Sequence, residues 1–227
     1  MAIKGNSRHI KRLNAPQYFG IERKAGKYVI KASPGRHTKE KGIALALFAK
    51  KAGLASRTGE AIKVIKSGAL LVNGKAIADP AFPVGLSDMI SAKDAGKEFV
   101  IGIDKYGKVA LRGAEKGSAL VYKVVRKYKA SKGSIMISLH DGRILKGTND
   151  IKANDSVKLN SDGKGIANVL KLKEGSRCMI IDGVHVGSVG TIKKINQGTM
   201  HSKKTVMVEG EEGSPFETLV RNIMVVE

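Results

Sequence analysis

The stretch Ser56-Arg57-Thr58-Gly59-Glu60-Ala61-Ile62-Lys63-Val64-Ile65-Lys66-Ser67-Gly68-Ala69-Leu70-Leu71-Val72-Asn73-Gly74-Lys75-Ala76-Ile77 decides how this chain folds. Ala61, Ile62 and Ile65 recur at helical spacing, Ser56 is suited to cap that helix, and Gly68 to stop it. Residues 69–72 then read as a strand. Asn73-Gly74 supplies the two positive-φ positions of a tight hairpin, and Lys75-Ala76-Ile77 is the return. Just upstream, Ile43, Leu45, Leu47 and Phe48 among Ala44, Ala46 and Ala49 form a short apolar helix that Gly53 ends. Just downstream, Pro80 and Pro83 lead to Asp88-Met89-Ile90. The sequence predicts a small α+β module over residues 42–94.

Residues 1–41 differ in kind. Eleven cations (Lys4, Arg8, Lys11, Arg12, Arg23, Lys24, Lys27, Lys31, Arg36, Lys39, Lys41) stand against Glu22 and Glu40, a net of +9, and apolar residues are too sparse to enclose a core. Such a segment does not offset its own chain entropy, so a basic arm is expected, mobile alone and ordered on a polyanion. Tyr18-Phe19 and Tyr28 are aromatic islands within it. They either stack on unpaired bases or pin the arm to the protein's own surface; the second is preferred, since stacking usually needs a folded platform.

Beyond the module the signals are almost all strands. Residues 95–173 carry short alternating runs at 99–103, 108–112, 119–125, 135–140, 143–145, 157–159 and 167–172, separated by turn residues, which predicts a compact β domain of barrel-like character. Residues 174–227 alternate again at 178–181, 190–195 and 205–208 with glycines between, which suits a small SH3-like barrel. The fold class is therefore α+β, mostly β. Glu209, Glu211, Glu212, Glu217 and Glu227 make the far end acidic, an edge expected to face solvent or a basic protein.

The whole chain holds 41 Lys plus Arg against 20 Asp plus Glu in 227 residues, a formal charge of +21. That excess calls for a polyanionic partner, nucleic acid first. The longest apolar run, 43–49, is too short to cross a bilayer, and no lipidation signal is present. The opening residues lack the pattern of a secretory signal, so a cytosolic protein is expected. The single Cys178 has no partner for a disulfide and no Cys/His set at zinc-finger spacing. Neither a metal nor a cofactor is expected.

Three matches give the chain a family. Ser56 to Lys75, with Val84 and Asp88-Met89-Ile90, resembles the S-four RNA-binding domain; that resemblance implies an RNA grip by Arg57, Lys63, Lys66 and Lys75. Met179-Ile180-Ile181-Asp182-Gly183 followed by Val186-Gly187-Ser188-Val189-Gly190-Thr191-Ile192 resembles the KOW motif, with Gly187 as its key loop glycine. Many members place lysines beside that loop, whereas Val184 and Ser188 stand here, so a structural or protein-contact role is as well supported as phosphate contact. His9-Ile10-Lys11-Arg12-Leu13-Asn14-Ala15-Pro16 and Ser33-Pro34-Gly35-Arg36-His37 complete the order of arm, S-four domain, β domain and KOW barrel, which is similar to the S-four-e ribosomal family over essentially the whole chain.

The resemblance implies a structural protein of the small ribosomal subunit, in the cytoplasmic ribosome, with small-subunit ribosomal RNA and neighbouring ribosomal proteins as partners and a monomeric free state. Arg57 can fork onto a phosphate at a helix start, and Lys63 and Lys66 share a helical face. The arm cations and His9, as a further donor, complete the expected RNA contacts. Aromatics are 4% of the chain and Trp is absent, so phosphate neutralisation outweighs stacking. No catalytic motif is found. Asp141-Gly142 and Asp182-Gly183 read first as hairpin turns, and an S-four domain attached to an RNA-modifying enzyme would need a catalytic domain that residues 95–227 do not offer. The alternative function is a KOW-containing transcription or assembly factor that binds RNA transiently.

Overall fold

In a computed structural model, which describes residues 7–93, 96–113, 120–130, 133–160, 165–199, 202–210 and 213–226, the basic N-terminal segment folds back on itself. Strand β1 (His9–Lys11) pairs antiparallel with β2 (Tyr28–Ile30), Ile10 opposite Val29. Between them, two single 3-10 turns carry Tyr18 and Phe19 inward, and Gly20 ends the second turn in the left-handed region. Ala15, Tyr18, Phe19 and Val29 are all buried. In the fold these apolar side chains of the segment are buried rather than free. A side chain like Phe19, 2% exposed, contributes roughly 1.5–3 kcal/mol by burial.

The chain divides into two compact units, 1–102 with 108–116 and 103–107 with 117–227. In the first, β3 (Ile43–Ala44) leads into helix α1 (Leu45–Lys51), followed by α2 (Thr58–Lys66). Then come β4 (Leu70–Val72), β5 (Lys75–Ala76), β6 (Pro83–Val84), β7 (Met89–Ala92), β8 (Lys97–Ile103) and β9 (Val109–Gly113). Asn73 and Gly74 take φ of 50° and 79°, as a two-residue hairpin requires, so Val72 pairs with Lys75. The sheet runs β5-β4-β7-β8-β9, and Ile43, Leu45, Phe48, Ile65, Leu70, Ile90 and Ile101 are buried. Residues 99–103 and 108–112, expected to open the β domain, lie in β8 and β9 and extend this sheet, with β8 paired antiparallel to β7 and Met89 opposite Val100.

The second unit holds two five-stranded sheets. β10 (Val121–Lys129), β11 (Ile135–Leu139), β12 (Ile144–Lys146), β13 (Ser156–Leu159) and β14 (Ile166–Leu170) are ordered β12-β11-β10-β13-β14 around Tyr122, Val124, Ile137, Leu139, Ile151, Val157 and Leu159. β15 (Arg177–Ile180), β16 (Val189–Asn196), β17 (Thr205–Gly210), β18 (Pro215–Leu219) and β19 (Ile223–Val225) are ordered β18-β17-β16-β15-β19 around Cys178, Ile192, Val206, Val208 and Ile223. Among the described residues no pairing joins the two outer strands of either sheet. The end of the chain is also less exposed than its acidity suggests. Ile223, Met224 and Val225 are buried, and the ammonium of buried Lys123 donates to the carbonyls of Val220 and Ile223 at 2.8 and 2.6 Å. Among the described residues the expected acidic edge is Glu217 on the outer strand β18 and Glu209 on β17, the latter paired with Lys193 at 2.7 Å; Glu211, Glu212 and Glu227 lie outside the described residues.

Candidate nucleic-acid interface

Helix α2 begins one residue later than its sequence suggests. Glu60 reaches back so that its Oε2 accepts from the backbone N–H of Ser56 at 3.0 Å and of Arg57 at 3.1 Å. Arg57, not Ser56, holds the N-cap position, with extended φ and ψ of −116° and 151°. Ala61 and Ile65 turn inward, while Arg57, Lys63 and Lys66 are exposed, as is Lys75 on the outer strand β5. The apolar period of the helix thus leaves Lys63 and Lys66 outside by construction.

The cations of the N-terminal segment divide into groups. Arg8, Lys11, Arg23, Lys24, Lys27, Lys39 and Lys41 are exposed, Lys31 is half-buried, and Lys4 lies outside the described residues. Arg12 is half-buried and donates through Nη1 to the Glu22 carbonyl at 2.5 Å, and Arg23 donates to the Leu13 carbonyl at 3.3 Å; both brace the connection between β1 and β2. His9 lies edge-on to Tyr28, ring centres 4.6 Å apart, and the Lys27 ammonium stands 5.4 Å above the Tyr28 ring. The two aromatic islands therefore separate. Tyr18 and Phe19 anchor the segment, whereas Tyr28 remains 48% exposed.

Arg36 and His37 do something the sequence did not reveal. Asp88, with no exposed surface, accepts from Asn73 Nδ2 at 2.7 Å and from the Gly85 N–H at 3.0 Å. His37 Nε2 lies 2.6 Å from Oδ2, which the Gly85 N–H also meets, and Arg36 Nη2 is 3.6 Å from Oδ1. Burial alone would raise the carboxyl's pKa; the hydrogen bond and charge of His37, then Arg36 and Asn73, outweigh it and hold the pKa below its ordinary value. A carboxylate accepts only, so the ring proton sits on Nε2. Space is tight here: a Cβ on Gly85 would lie 2.5 Å from the His37 ring and one on Gly35 would lie 2.4 Å from Pro83. Asp88 thus ties together the basic segment, the Asn73-Gly74 hairpin and Gly85, which follows β6.

In the second unit, Gly187 has φ of +82°, and a Cβ there would stand 2.3 Å from the Asp104 carbonyl oxygen. The same loop exposes Val184 almost fully and stacks His185 on Phe216 at 4.2 Å. Asp141 and Asp182 serve turns: they accept from the N–H groups of Arg143 and Gly183 at 2.9 and 3.0 Å. Among the described residues no cluster of His, Cys, Asp or Glu could hold a metal ion. Buried Cys178 has its thiol pushed up to about 11 by desolvation, the setting of a small core hydrophobe. Lys50, outside the set expected from sequence, is exposed on α1 and lines a cavity shared with the β1–β2 hairpin; the Lys50-Lys51 pair closing an apolar helix is its signal in the sequence.

A cationic hairpin locked onto a helix pair and β-hairpin is the make-up of an RNA-binding S4-domain protein, and the domain matches agree. Residues 45–90 match the S4 domain, residues 4–40 the RS4NT (NUC023) domain, and residues 95–166 the ribosomal family S4e. The chain is 36% identical over 204 residues to small ribosomal subunit protein eS4 of Archaeoglobus fulgidus, covering 90% of this chain and 87% of that one. It is 35% identical over 221 residues to small ribosomal subunit protein eS4 of Methanocella arvoryzae, covering 96% and 93%. The crystal structure of the 30S ribosomal protein S4e from Thermoplasma acidophilum superposes with a TM-score of 0.70 at 26% identity, over 82% of this chain and 95% of that one. The chain belongs to the eS4 family of small-subunit ribosomal proteins, as its motif order implied.

Proposed function

We infer that this protein is a structural constituent of the small ribosomal subunit in the cytoplasmic ribosome, holding ribosomal RNA through its basic N-terminal segment and S4 domain. The observation that carries this is the Asp88 junction, which holds Arg36 and His37 of the basic segment to Asn73 of the hairpin, within the same compact unit as Arg57, Lys63, Lys66 and Lys75. Phosphate neutralisation supplies affinity, and the shape of folded RNA supplies selectivity. Arg57 forks onto phosphate, Lys63, Lys66 and Lys75 add point charges, and Arg36 acts indirectly, through Asp88. Lys4 belongs to the same set of contacts.

The functional segments are a basic arm (1–41), an S4 domain (42–94) whose sheet β8 and β9 extend, a β domain up to residue 173, and a KOW-type SH3-like module (174–227). In the last, Gly187 is a structural residue and Val184 favours a neighbouring ribosomal protein over phosphate. The protein is monomeric when free, works without cofactor or metal and is not an enzyme; the turn duties of Asp141 and Asp182 support that reading. The test is fractionation of tagged protein. It is expected at one copy per small subunit after a high-salt wash. Loss to the soluble fraction would instead mark a factor that binds RNA transiently.

A further inference from the structure

A cavity of about 290 Å³ opens between the β1–β2 hairpin and the helix pair, lined by His9, Arg12, Tyr28, Val29, Ile30, Leu47, Lys50 and Thr58. We propose that it receives one unpaired nucleotide of the bound RNA, base inward and phosphate at the rim. This rests on the RNA-binding reading above and adds a discrete site to it.

The lining has the composition such a ligand requires. Val29, Ile30 and Leu47 are an apolar floor. Tyr28 and His9 offer aromatic surface, and Tyr28, nearly half exposed, has room for a base. Arg12 and Lys50 bring positive charge, and no lining residue is acidic. The guanidinium of Arg12 is already held by the Glu22 carbonyl, so little of its freedom remains to be lost on binding. The volume lies at the lower end of the roughly 300–1,000 Å³ of small-molecule pockets. It suits a single nucleoside and is too small for a longer stacked run. An acidic peptide would satisfy the cations but leave the aromatic and apolar walls without a flat partner.

The full-length, isotopically labelled protein would be titrated with adenosine 5′-monophosphate, uridine 5′-monophosphate, inorganic phosphate and poly-glutamate at constant ionic strength, following backbone amides by NMR. Binding of small-subunit ribosomal RNA would be measured under the same conditions. The expected result is saturable shifts of the Val29, Leu47 and Thr58 amides with the nucleotides, well beyond those with phosphate or poly-glutamate. Tyr28→Ala should weaken the nucleotide effect about tenfold, in line with the loss of one stacking partner, and Tyr28→Phe should retain it. Equal shifts with phosphate or poly-glutamate, or no shifts with nucleotide, overturn the proposal. If the ribosomal RNA still binds in that case, the nucleotide site fails alone; if it does not, the RNA-binding reading fails first.

Discussion

Asp88 is a charge with no water around it, kept ionised by donors from three parts of the chain. Asp88→Asn keeps the shape but places an amide N–H against donors, and breaking a buried charged pair of this kind costs about 3 kcal/mol. The urea midpoint of the S4 portion at neutral pH should fall accordingly; an unchanged midpoint would show that the junction adds no stability. The pH dependence has a definite sign. The folded pKa lies below the ordinary 3.8, so the stabilisation is fully present above 3.8 and is lost as pH falls through the lower folded value. The gap between wild type and Asp88→Asn should therefore narrow in acid.

The loop from Asp182 to Gly187 and the turn at residues 103–107 meet backbone to backbone. Gly187→Ala would combine a left-handed φ with an overpacked contact, about 2–5 kcal/mol together. Gly175→Ala has a similar φ of +83° but open space around it, so only the conformational part, about 1–2 kcal/mol, is expected. Thermal melts of the two variants should thus differ; equal shifts would remove the special status of Gly187. Elements were legible in the sequence where local chemistry dictates them: Asn73-Gly74 demands its hairpin, and Ala61 and Ile65 set the buried face of α2. They were less legible where a partner is distant. Glu60 moved the start of α2, β8 found its partner in β7, and buried Tyr18 and Phe19 carry no period to announce them. β19 is buried at all three positions without alternation, and β18 opens on a proline, so neither read as a strand. The cations of the proposed interface could be read as a set, but the proposed nucleotide cavity draws on residues from 9 to 58 in four separate segments, which no window of sequence displays.

A charge of +21 on 227 residues sets the behaviour of the whole molecule, and the fold decides how that charge can be tested. Removing residues 1–41 is the obvious experiment on a basic arm, yet it would also remove buried Phe19 and Val29 and strip His37 and Arg36 from Asp88. The truncated chain should lose structure in its S4 portion, so weaker RNA binding would not isolate the charge. Lys11, Lys24 and Lys39 are exposed, and replacing all three by Gln leaves the buried anchors in place. Each phosphate contact contributes about 0.7–0.9 to the slope of log affinity against log salt, so the triple variant should flatten that slope by about 2–3 if each lysine meets a phosphate. Its circular dichroism and melting should match wild type. A slope unchanged beside an intact fold would place these lysines away from RNA and leave the grip to Arg57 and its neighbours on α2 and β5.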